Sequence, residues 1–503
     1  MNYPFWDVDL GYGVLMAVIA VVHVFVAHFA IGGGLYLVVA ETAARRKNDA
    51  DRLQFLRKLS KFFVLVSVVF GALTGVGIWF IIGLLNPAGT EVLIHNFVWG
   101  WATEWTFFLI EVCAALLYFY GWQRLSARNH LIIGWIYFVA AWLSLVVING
   151  IVTFMLTPGK WIQTGDFWDG FFNPTYWPSL ALRTGICIML AGLYSLLVAA
   201  RYRPSEFKAR IVRYNAVWAM AGLVITLPTF LWYLTAIPAT VMAAVAERMP
   251  TPMLAMWQMY VYTGVLAIVI ILFGLALPKA YHTVIGVIAM LAGLLWFGSF
   301  EWFRESARKP YVIYGYMYGN GVELAQSDRY TQDGYLAHIE FRTGDDGADL
   351  FRRACRSCHT VDGYKALKPA FDGTDEEFIA GVIKGLHVTK GNMPQFVGSN
   401  EEIGLLAAHI HDRTDRRHLK DIYNLSGVEL GRKVYDVRCG TCHQFGGYND
   451  KAASLLGLSD QGYEDLLDMA GDIADEMPPF TGDSVEREAL ITYLKSLGEG
   501  GAR

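Results

Sequence analysis

Eight long apolar stretches fill most of the first 303 residues, and short polar or aromatic segments separate them. An α-helix needs about 20 mostly apolar residues to cross a bilayer. Each stretch meets this length, so the pattern predicts eight membrane-spanning helices. Their expected bounds are 11–41, 62–85, 97–122, 131–157, 177–200, 213–237, 254–277 and 281–303.

After Tyr318 the sequence becomes polar and predicts a linker over 319–342, followed by two similar units at 343–418 and 419–503. Short amphipathic segments open and close each unit, which indicates helices. Three kinds of residue recur at a spacing of 84 positions, namely Gly347 and Gly431, Cys355 and Cys439, and Met393 and Met477. This repeat predicts an all-α protein in which residues 1–318 form a membrane helix bundle and two small domains follow.

The composition agrees with a membrane protein, because 54% of the 503 residues are hydrophobic and only 17% are charged. A net charge of −4 gives no indication of a nucleic-acid partner. Arginine and lysine concentrate in the loops 42–61 and 201–212 and are rare in 86–96, 158–176 and 238–253. The positive-inside rule then places the N-terminus, and after eight spans the C-terminal units, on the periplasmic side of a bacterial inner membrane.

Each C-terminal unit contains a Cys-x-x-Cys-His motif. The two thiols of such a motif add to the vinyl groups of haem c, and the histidine becomes an axial iron ligand. One copy alone is compatible with half of a zinc site, but two copies with matching downstream residues favour two covalent haems c. Haem c is attached outside the cytoplasm, which agrees with the orientation inferred from charge. The predicted haem-binding residues are Cys355, Cys358, His359, Cys439, Cys442 and His443.

A Met-Pro pair lies 34 residues after the haem-binding histidine in both units, at Met393 and at Met477. A thioether sulfur is a suitable sixth ligand and raises the haem potential. His387 remains an alternative ligand in the first unit and Met469 in the second. Both units resemble class I cytochrome c domains, whose His/Met haems have no open coordination position and therefore carry electrons.

The predicted spans contain a few ionisable residues, which are costly in lipid and are therefore functional candidates. Glu104 and Glu111 are seven apart and share one face of the third span, while Glu301 and Glu305 share one face of the eighth. His23 in the first span is either a hydrogen-bonded core residue or a haem ligand. The residue pattern alone leaves both interpretations open.

Several of these residues lie in segments that resemble subunit I of the cytochrome bd oxidases. This resemblance extends over the first 318 residues. The similar segments run from His23 to Glu41-Thr42, from Phe107 through Glu111 to Leu125, and from Glu305 through Arg308 to Tyr311, and they include Asn149 and Pro158.

The resemblance implies that His23 and Glu305 are axial ligands of two closely spaced non-covalent haems, of type b, type d or one of each, at an oxygen-reducing site. It also implies that Arg308 neutralises a haem propionate. The family pairs with a second membrane subunit, so we expect one here. The remaining implied positions are Asn149 in the haem pocket and Glu111, with Glu104 nearby, on a proton route.

Two features of the family are missing from this sequence. The histidine and methionine that hold its low-spin haem fall at or near Arg183 and Tyr262, so we predict that this haem is absent and that Arg183 pairs with a carboxylate or a propionate. The quinol-binding loop is also lost, because only 238–253 separates the sixth and seventh spans. His28 replaces a proline of the family and remains an alternative ligand for a further haem.

These features favour a membrane haem oxidoreductase in which a soluble periplasmic cytochrome c or a similar carrier delivers electrons through two haems c, and oxygen is reduced to water in the membrane domain. A second interpretation reverses the flow, with a quinol or other membrane donor and export of electrons to a soluble or extracellular acceptor. Two further interpretations are a haem-bearing electron-transfer subunit of a larger complex and a gas sensor.

Overall fold

The computed structural model describes residue 6, residues 8–388 and residues 392–499. Eight helices in this part of the chain are long and apolar enough to cross a membrane, which confirms the predicted number. In chain order, spanning helices 1 to 8 are Tyr12–Arg46, Ala50–Leu85, Val98–Gly121, Ala127–Phe154, Tyr176–Ala199, Glu206–Ala236, Pro250–Ala276 and Thr283–Ala307.

Several spanning helices extend beyond the apolar windows that the sequence predicts. Spanning helix 2 begins at Ala50 rather than at 62, and spanning helix 6 begins at Glu206 rather than at 213. Asp49 and Ser205 cap these two helices, because their side chains accept hydrogen bonds from amides of the first turn. An apolar window measures only the part in lipid, whereas helical hydrogen bonding continues through the charged turns outside it.

Short elements fill the connections between spanning helices. The strands Tyr311–Ile313 and Met317–Tyr318 pair antiparallel and form a hairpin immediately after spanning helix 8. The connections 86–96 and 238–253 contain the helices Pro87–Asn96 and Ala239–Arg248. Other short helices are Trp161–Thr164, Phe167–Phe171 and the 3-10 turn Pro278–Ala280.

Spanning helix 5 is largely buried and packs closely on spanning helices 1 and 6 through glycine. A Cβ atom on Gly32 would lie 1.8 Å from the carbonyl oxygen of Cys187, and a Cβ atom on Gly222 would lie 2.1 Å from the amide nitrogen of Met189. Either side chain would overlap backbone atoms, so both positions require glycine. Small residues at such crossings let helices approach in lipid, where van der Waals packing drives helix association.

The C-terminal part has two hydrophobic cores that are separate from that of the membrane bundle. The helices around the first are Leu324–Gln326, Ser327–Asp333, Leu336–His338, Asp346–Leu350 continued by the π-helix Phe351–Cys355, Lys368–Phe371, Glu376–Lys384, Leu386–Val388 and Asn400–His411. The helices around the second are Leu419–Tyr423, Gly427–Arg438, Ala452–Leu455, Asp460–Asp468, Ala470–Ile473 and Ser484–Glu499.

The two C-terminal units make the same helix crossing at equivalent glycines. A Cβ atom on Gly347 would lie 2.8 Å from the carbonyl oxygen of Leu405, and a Cβ atom on Gly431 would lie 1.9 Å from that of Ala489. In both units the first long helix therefore crosses the last helix at a distance that only glycine allows.

In each unit, a buried glutamate of the last helix also accepts a hydrogen bond from a backbone amide at or just before the start of the unit. The Glu402 carboxylate accepts from the Tyr335 amide at 2.8 Å, and the Glu486 carboxylate accepts from the Leu419 amide at 3.0 Å. Tyr335 lies in the segment 319–342, which also contributes Val322 and Ile339 to the first C-terminal core. This segment is therefore packed against the first unit.

Candidate haem sites

The two motif histidines have the geometry of haem ligands. The Nδ1 atom of His359 lies 3.1 Å from the carbonyl oxygen of Lys365, and that of His443 lies 3.3 Å from the carbonyl oxygen of Asn449. A hydrogen bond from Nδ1–H to a carbonyl leaves the Nε2 lone pair for a metal. Burial lowers the pKa of both histidines, which favours the neutral form that binds iron.

The motif cysteines fit the chemistry of covalent attachment. Burial raises the pKa of Cys355 and of Cys439 to about 12, so both thiols stay protonated at neutral pH. Addition of a thiol to a vinyl group consumes the S–H bond and leaves an uncharged thioether, which suits such buried positions. The residues present therefore fit haem c in both units.

The predicted sixth ligands Met393 and Met477 are both half-buried. The alternative Met469 is 54% exposed, and the His387 side chain is 41% exposed with its ring facing Glu476 at 3.9 Å. Both alternatives point toward solvent more than the two predicted residues do, which favours Met393 and Met477. Their role as ligands stays a prediction.

The first haem c motif lies directly against the membrane bundle. The Cys358 sulfur is 3.6 Å from the position of a Cβ atom on Gly319, at the end of the hairpin that follows spanning helix 8. Next to the motif, the Arg356 guanidinium donates to the Asp9 carboxylate at 2.8 Å, and the Tyr364 ring covers Gly13 at the start of spanning helix 1. Spanning helices 1 and 8 thus meet the first unit at one end of the bundle.

Glu305 lies in the last turn of spanning helix 8, below this contact. Its carboxylate accepts from the Arg308 guanidinium, with Nε at 3.0 Å, and lies 3.3 Å from the Lys309 Nζ atom. The Glu305 side chain is 45% exposed, so it has room for a further ligand. Two cationic neighbours, Arg308 and Lys309, offset the negative charge that a carboxylate needs in order to bind a metal cation.

His23 faces spanning helix 2. Its Nδ1 atom lies 3.0 Å from the Thr74 hydroxyl oxygen, and Thr74 itself donates to the Phe70 carbonyl at 2.9 Å. Thr74 therefore accepts from His23 Nδ1–H, and the Nε2 lone pair is left for a metal. A Cβ atom on Gly75 would lie 3.0 Å from the His23 ring, so glycine gives the ring its space. The arrangement fits an axial haem ligand.

A neighbouring spanning helix forms hydrogen bonds with each of three further predicted site residues, Glu104, Glu111 and Asn149. Glu104 accepts from Ser144 at 3.0 Å and Glu111 accepts from Tyr137 at 3.1 Å, so both carboxylates face spanning helix 4 as their common face requires. Asn149 donates to the Tyr176 carbonyl at 2.9 Å and accepts from the Ser179 hydroxyl at 2.7 Å. These two bonds tie spanning helix 4 to spanning helix 5.

Comparison with known protein families identifies the two parts of the chain. Residues 14–232 match the family model of cytochrome bd terminal oxidase subunit I, and residues 342–410 and 427–494 match that of cytochrome c oxidase, cbb3-type, subunit III. The chain joins a bd-like membrane domain to two cytochrome c domains. The bd-like chain is therefore a membrane-bound haem protein that transfers electrons.

A solved structure supports the fold of the bd-like domain. The bd oxidase from Geobacillus thermodenitrificans matches with a TM-score of 0.54 and 16% sequence identity, over 60% of this chain and 88% of that one. None of the curated proteins compared with the bd-like chain matches its sequence.

The bd-like domain holds an ion cluster around Arg183. The Arg183 guanidinium donates to the Glu301 carboxylate at 2.8 Å, which confirms the predicted pairing with a carboxylate. Arg304, three residues further along the same helix, donates to the other Glu301 oxygen at 3.0 Å. The His28 Nε2 atom is 3.5 Å from Arg183, and its Nδ1 atom is 2.7 Å from the Val24 carbonyl. Both His28 nitrogens therefore have protein partners.

Replacing Arg183 with leucine is expected to destabilise the bd-like domain, because Glu301 would keep only Arg304 to balance its buried charge. Removing one member of a buried ion pair typically costs about 3–5 kcal/mol. Thermal unfolding in detergent measures the loss. The double variant Arg183→Leu, Glu301→Gln removes both charges and should recover part of it, whereas equal melting temperatures for wild type and Arg183→Leu would show that the pair contributes nothing.

Proposed function

We propose that the bd-like chain is a terminal oxidase of the bacterial inner membrane, which takes electrons from a soluble periplasmic carrier and reduces oxygen to water. When bound, two haems c at Cys355, Cys358, His359 and Met393 and at Cys439, Cys442, His443 and Met477 supply one-electron transfer, and two haems of type b or d, held by His23 and Glu305, supply oxygen reduction. A second membrane subunit is expected to complete the assembly.

The observation that carries this proposal is the contact between the first haem c motif and the segment after Glu305. Cys358 lies against Gly319, whose amide donates to the Pro310 carbonyl at 2.9 Å, five residues after Glu305. This contact supports direct electron delivery from the first cytochrome c domain into the membrane domain. Arg308, which is buried beside Glu305, is placed to neutralise a propionate near the same point.

The second cytochrome c domain packs on the first through the residues that flank Met477. Pro478 covers Gly381, because a Cβ atom on Gly381 would lie 2.7 Å from the Pro478 side chain. The Tyr448 hydroxyl donates to the Val388 carbonyl at 2.9 Å. On the same side, Arg438 donates to the Gly373 carbonyl at 2.9 Å. These contacts support electron transfer through the two domains in series, with the second domain as the entry point for the soluble donor.

The quinol-linked alternative lacks the parts that it needs. The 238–253 connection is short and largely taken up by the helix Ala239–Arg248, and Arg183, which the resemblance puts at or near a ligand position of the low-spin haem, pairs with the Glu301 carboxylate. Quinol input would require another pocket. These features support electron input through the cytochrome c domains.

Carbon monoxide binding tests the proposed oxygen site, because this ligand needs an open coordination position on reduced haem iron. We expect the reduced protein to give a carbon monoxide difference spectrum from a non-covalent haem, while the His/Met haems c stay unchanged. A reduced protein with no such spectrum would have no position for oxygen, and the oxidase assignment would be wrong.

Replacing Met393 with alanine is expected to lower the potential of the first haem c by on the order of 0.1 V, because the axial ligand is a main determinant of haem potential. The iron would also gain an open position and react with carbon monoxide. A spectroscopic redox titration measures the shift. Met469→Ala is the matched control and should leave both haem c potentials unchanged, whereas an unaltered titration for Met393→Ala would exclude Met393 as a ligand.

A further inference from the structure

Polar residues form a ladder between spanning helices 3 and 4, with side-chain pairs in two rungs and a side chain bonded to a backbone carbonyl in the third. Residues seven apart lie on one face of a helix, about 10 Å apart along its axis. Both helices carry three polar residues at this spacing, and because the helices are antiparallel the residues meet in pairs. The rungs are Glu104 with Ser144 at 3.0 Å, Glu111 with Tyr137 at 3.1 Å, and the Tyr118 carbonyl with His130 Nε2 at 2.9 Å.

The third rung carries a buried carboxylate from spanning helix 1. The Glu41 carboxylate accepts from the Tyr118 hydroxyl at 2.6 Å, and both of its oxygens lie 2.9 Å from His130 Nδ1. Glu41 and His130 are both 0% exposed. The sequence pattern does not indicate this pair, because its members lie 89 residues apart on different helices.

The pair lies at the end of the bundle opposite the cytochrome c domains, which the loop charges predict to be cytoplasmic. The charged neighbour that faces it is Arg45, which donates to Glu41 at 2.6 Å and is 28% exposed, so it connects the pair to the surface. On the other sides, the Trp122 ring packs on the His130 ring with centroids 4.5 Å apart. The indole N–H of Trp122 donates to the Ser60 hydroxyl of spanning helix 2. These contacts cover the four helices packed around the pair.

The second rung also contacts spanning helix 1. The Tyr137 hydroxyl, which lies beside Glu111, is also 3.0 Å from the Ala30 carbonyl oxygen. The Tyr137 ring covers Gly34, because a Cβ atom on Gly34 would lie 2.2 Å from the ring. Spanning helix 1 thus lines both the second and the third rung. The rungs are too far apart for a direct hydrogen bond, so a proton moving between them needs bridging water.

We propose that Glu41 and His130 form the proton-loading site on the cytoplasmic side of the route to Glu111, with the Tyr118 hydroxyl as the first relay. This inference rests on the proposed function, which requires protons from the cytoplasm. The pair accepts one proton beside Arg45. Glu41 passes it to the Tyr118 oxygen while that hydroxyl turns and releases its own proton to a water that bridges to Glu111. Glu41 is then ionised again and Tyr118 is again a neutral hydroxyl, so both return to their starting states.

The test separates proton loading from a structural tie between helices. The variants are Glu41→Gln, which removes the ionisable group, Glu41→Asp, which keeps it, and Tyr118→Phe, which removes the relay and leaves the Glu41–His130 pair. Glu206→Gln is the matched control, because Glu206 is an exposed carboxylate paired with Lys279 at the same end of the bundle. Each purified protein is reduced without oxygen in weak buffer, and haem reduction and proton uptake are followed together with a pH-sensitive dye.

We expect Glu41→Gln and Tyr118→Phe to slow proton uptake by roughly 10-fold or more while haem content and the extent of haem reduction stay normal. Glu41→Asp should recover most of the rate and Glu206→Gln should match wild type. Wild-type proton uptake in Tyr118→Phe would overturn the proposal. If Glu41→Gln fails to assemble, the proton uptake of Tyr118→Phe alone tests the proposal. Oxygen consumption is measured separately, so a wild type that takes up protons but consumes no oxygen would overturn the proposed function and leave the proton site standing.

Discussion

Changing both Cys355 and Cys358 to serine is expected to reduce cytochrome c-driven oxygen uptake by roughly 100-fold, because serine cannot form the thioether bonds that hold haem c. The covalent haem count should fall from the two that the motifs predict to one. Electrons would still reach the second cytochrome c domain, but their link to the membrane domain at Cys358 and Gly319 would be lost. The pyridine haemochrome assay and an oxygen electrode measure both effects.

Cys113→Ser is the matched control for this variant, since Cys113 is an exposed thiol of spanning helix 3 outside the haem c motifs. It should keep both covalent haems and the full rate. If the double variant lost one haem but kept more than a tenth of the uptake, electrons would enter the membrane domain by another route. The series arrangement of the two cytochrome c domains would then be wrong.

Replacing His23 with alanine is expected to remove one non-covalent haem and to abolish oxygen uptake. The His23 ring is oriented by Thr74 and leaves one nitrogen for iron, and alanine offers no ligand at this position. The ratio of non-covalent to covalent haem, measured after extraction with acidified acetone, reports the loss. Both covalent haems should remain, which shows that the cytochrome c domains of the variant have been exported and have folded.

Two further histidines serve as controls for His23. His95 is exposed and bonds to the Glu91 carbonyl, so His95→Ala should change neither haem content nor rate. His28→Ala should also keep the full haem complement, because both His28 nitrogens have protein partners. An undiminished haem count in His23→Ala would remove His23 as a ligand.

The parts of this protein that sequence alone predicts are those set by short-range rules. Bilayer thickness dictates the length of an apolar run, so eight spanning helices follow from the hydrophobic pattern. The haem c residues follow from covalent chemistry that needs two thiols and a histidine at one fixed spacing. The bd-like resemblance also follows from local segments, such as the one from Glu305 to Tyr311.

The contacts that the sequence does not predict join residues far apart in the chain. Tyr118 and His130 beside Glu41 depend on how spanning helices 1, 3 and 4 cross, and the close approach of the Tyr137 ring to Gly34 shows how tightly helices 1 and 4 pack. The helix ends at Ala50 and elsewhere extend past the apolar windows because capping, which lies outside the hydrophobic pattern, decides where a helix begins.

The location of the first haem c motif on the membrane domain is also a tertiary feature. It depends on the hairpin Tyr311–Tyr318, which turns the chain back after spanning helix 8 and brings Gly319 under Cys358. It depends further on the ion pair between Arg356 and Asp9, whose partners are 347 positions apart. A repeat in the sequence shows that two cytochrome c domains exist, but only these contacts show which of them meets the membrane.

Oxygen uptake by the purified protein, compared between reduced cytochrome c and a quinol as donors, tests the central claim most directly. The proposed function predicts rapid uptake with reduced cytochrome c and none above background with the quinol. Uptake with the quinol alone would contradict electron input through the cytochrome c domains. A protein that consumes no oxygen with either donor, while the quinol reduces its haems c, would instead be an electron exporter built on a bd-like fold.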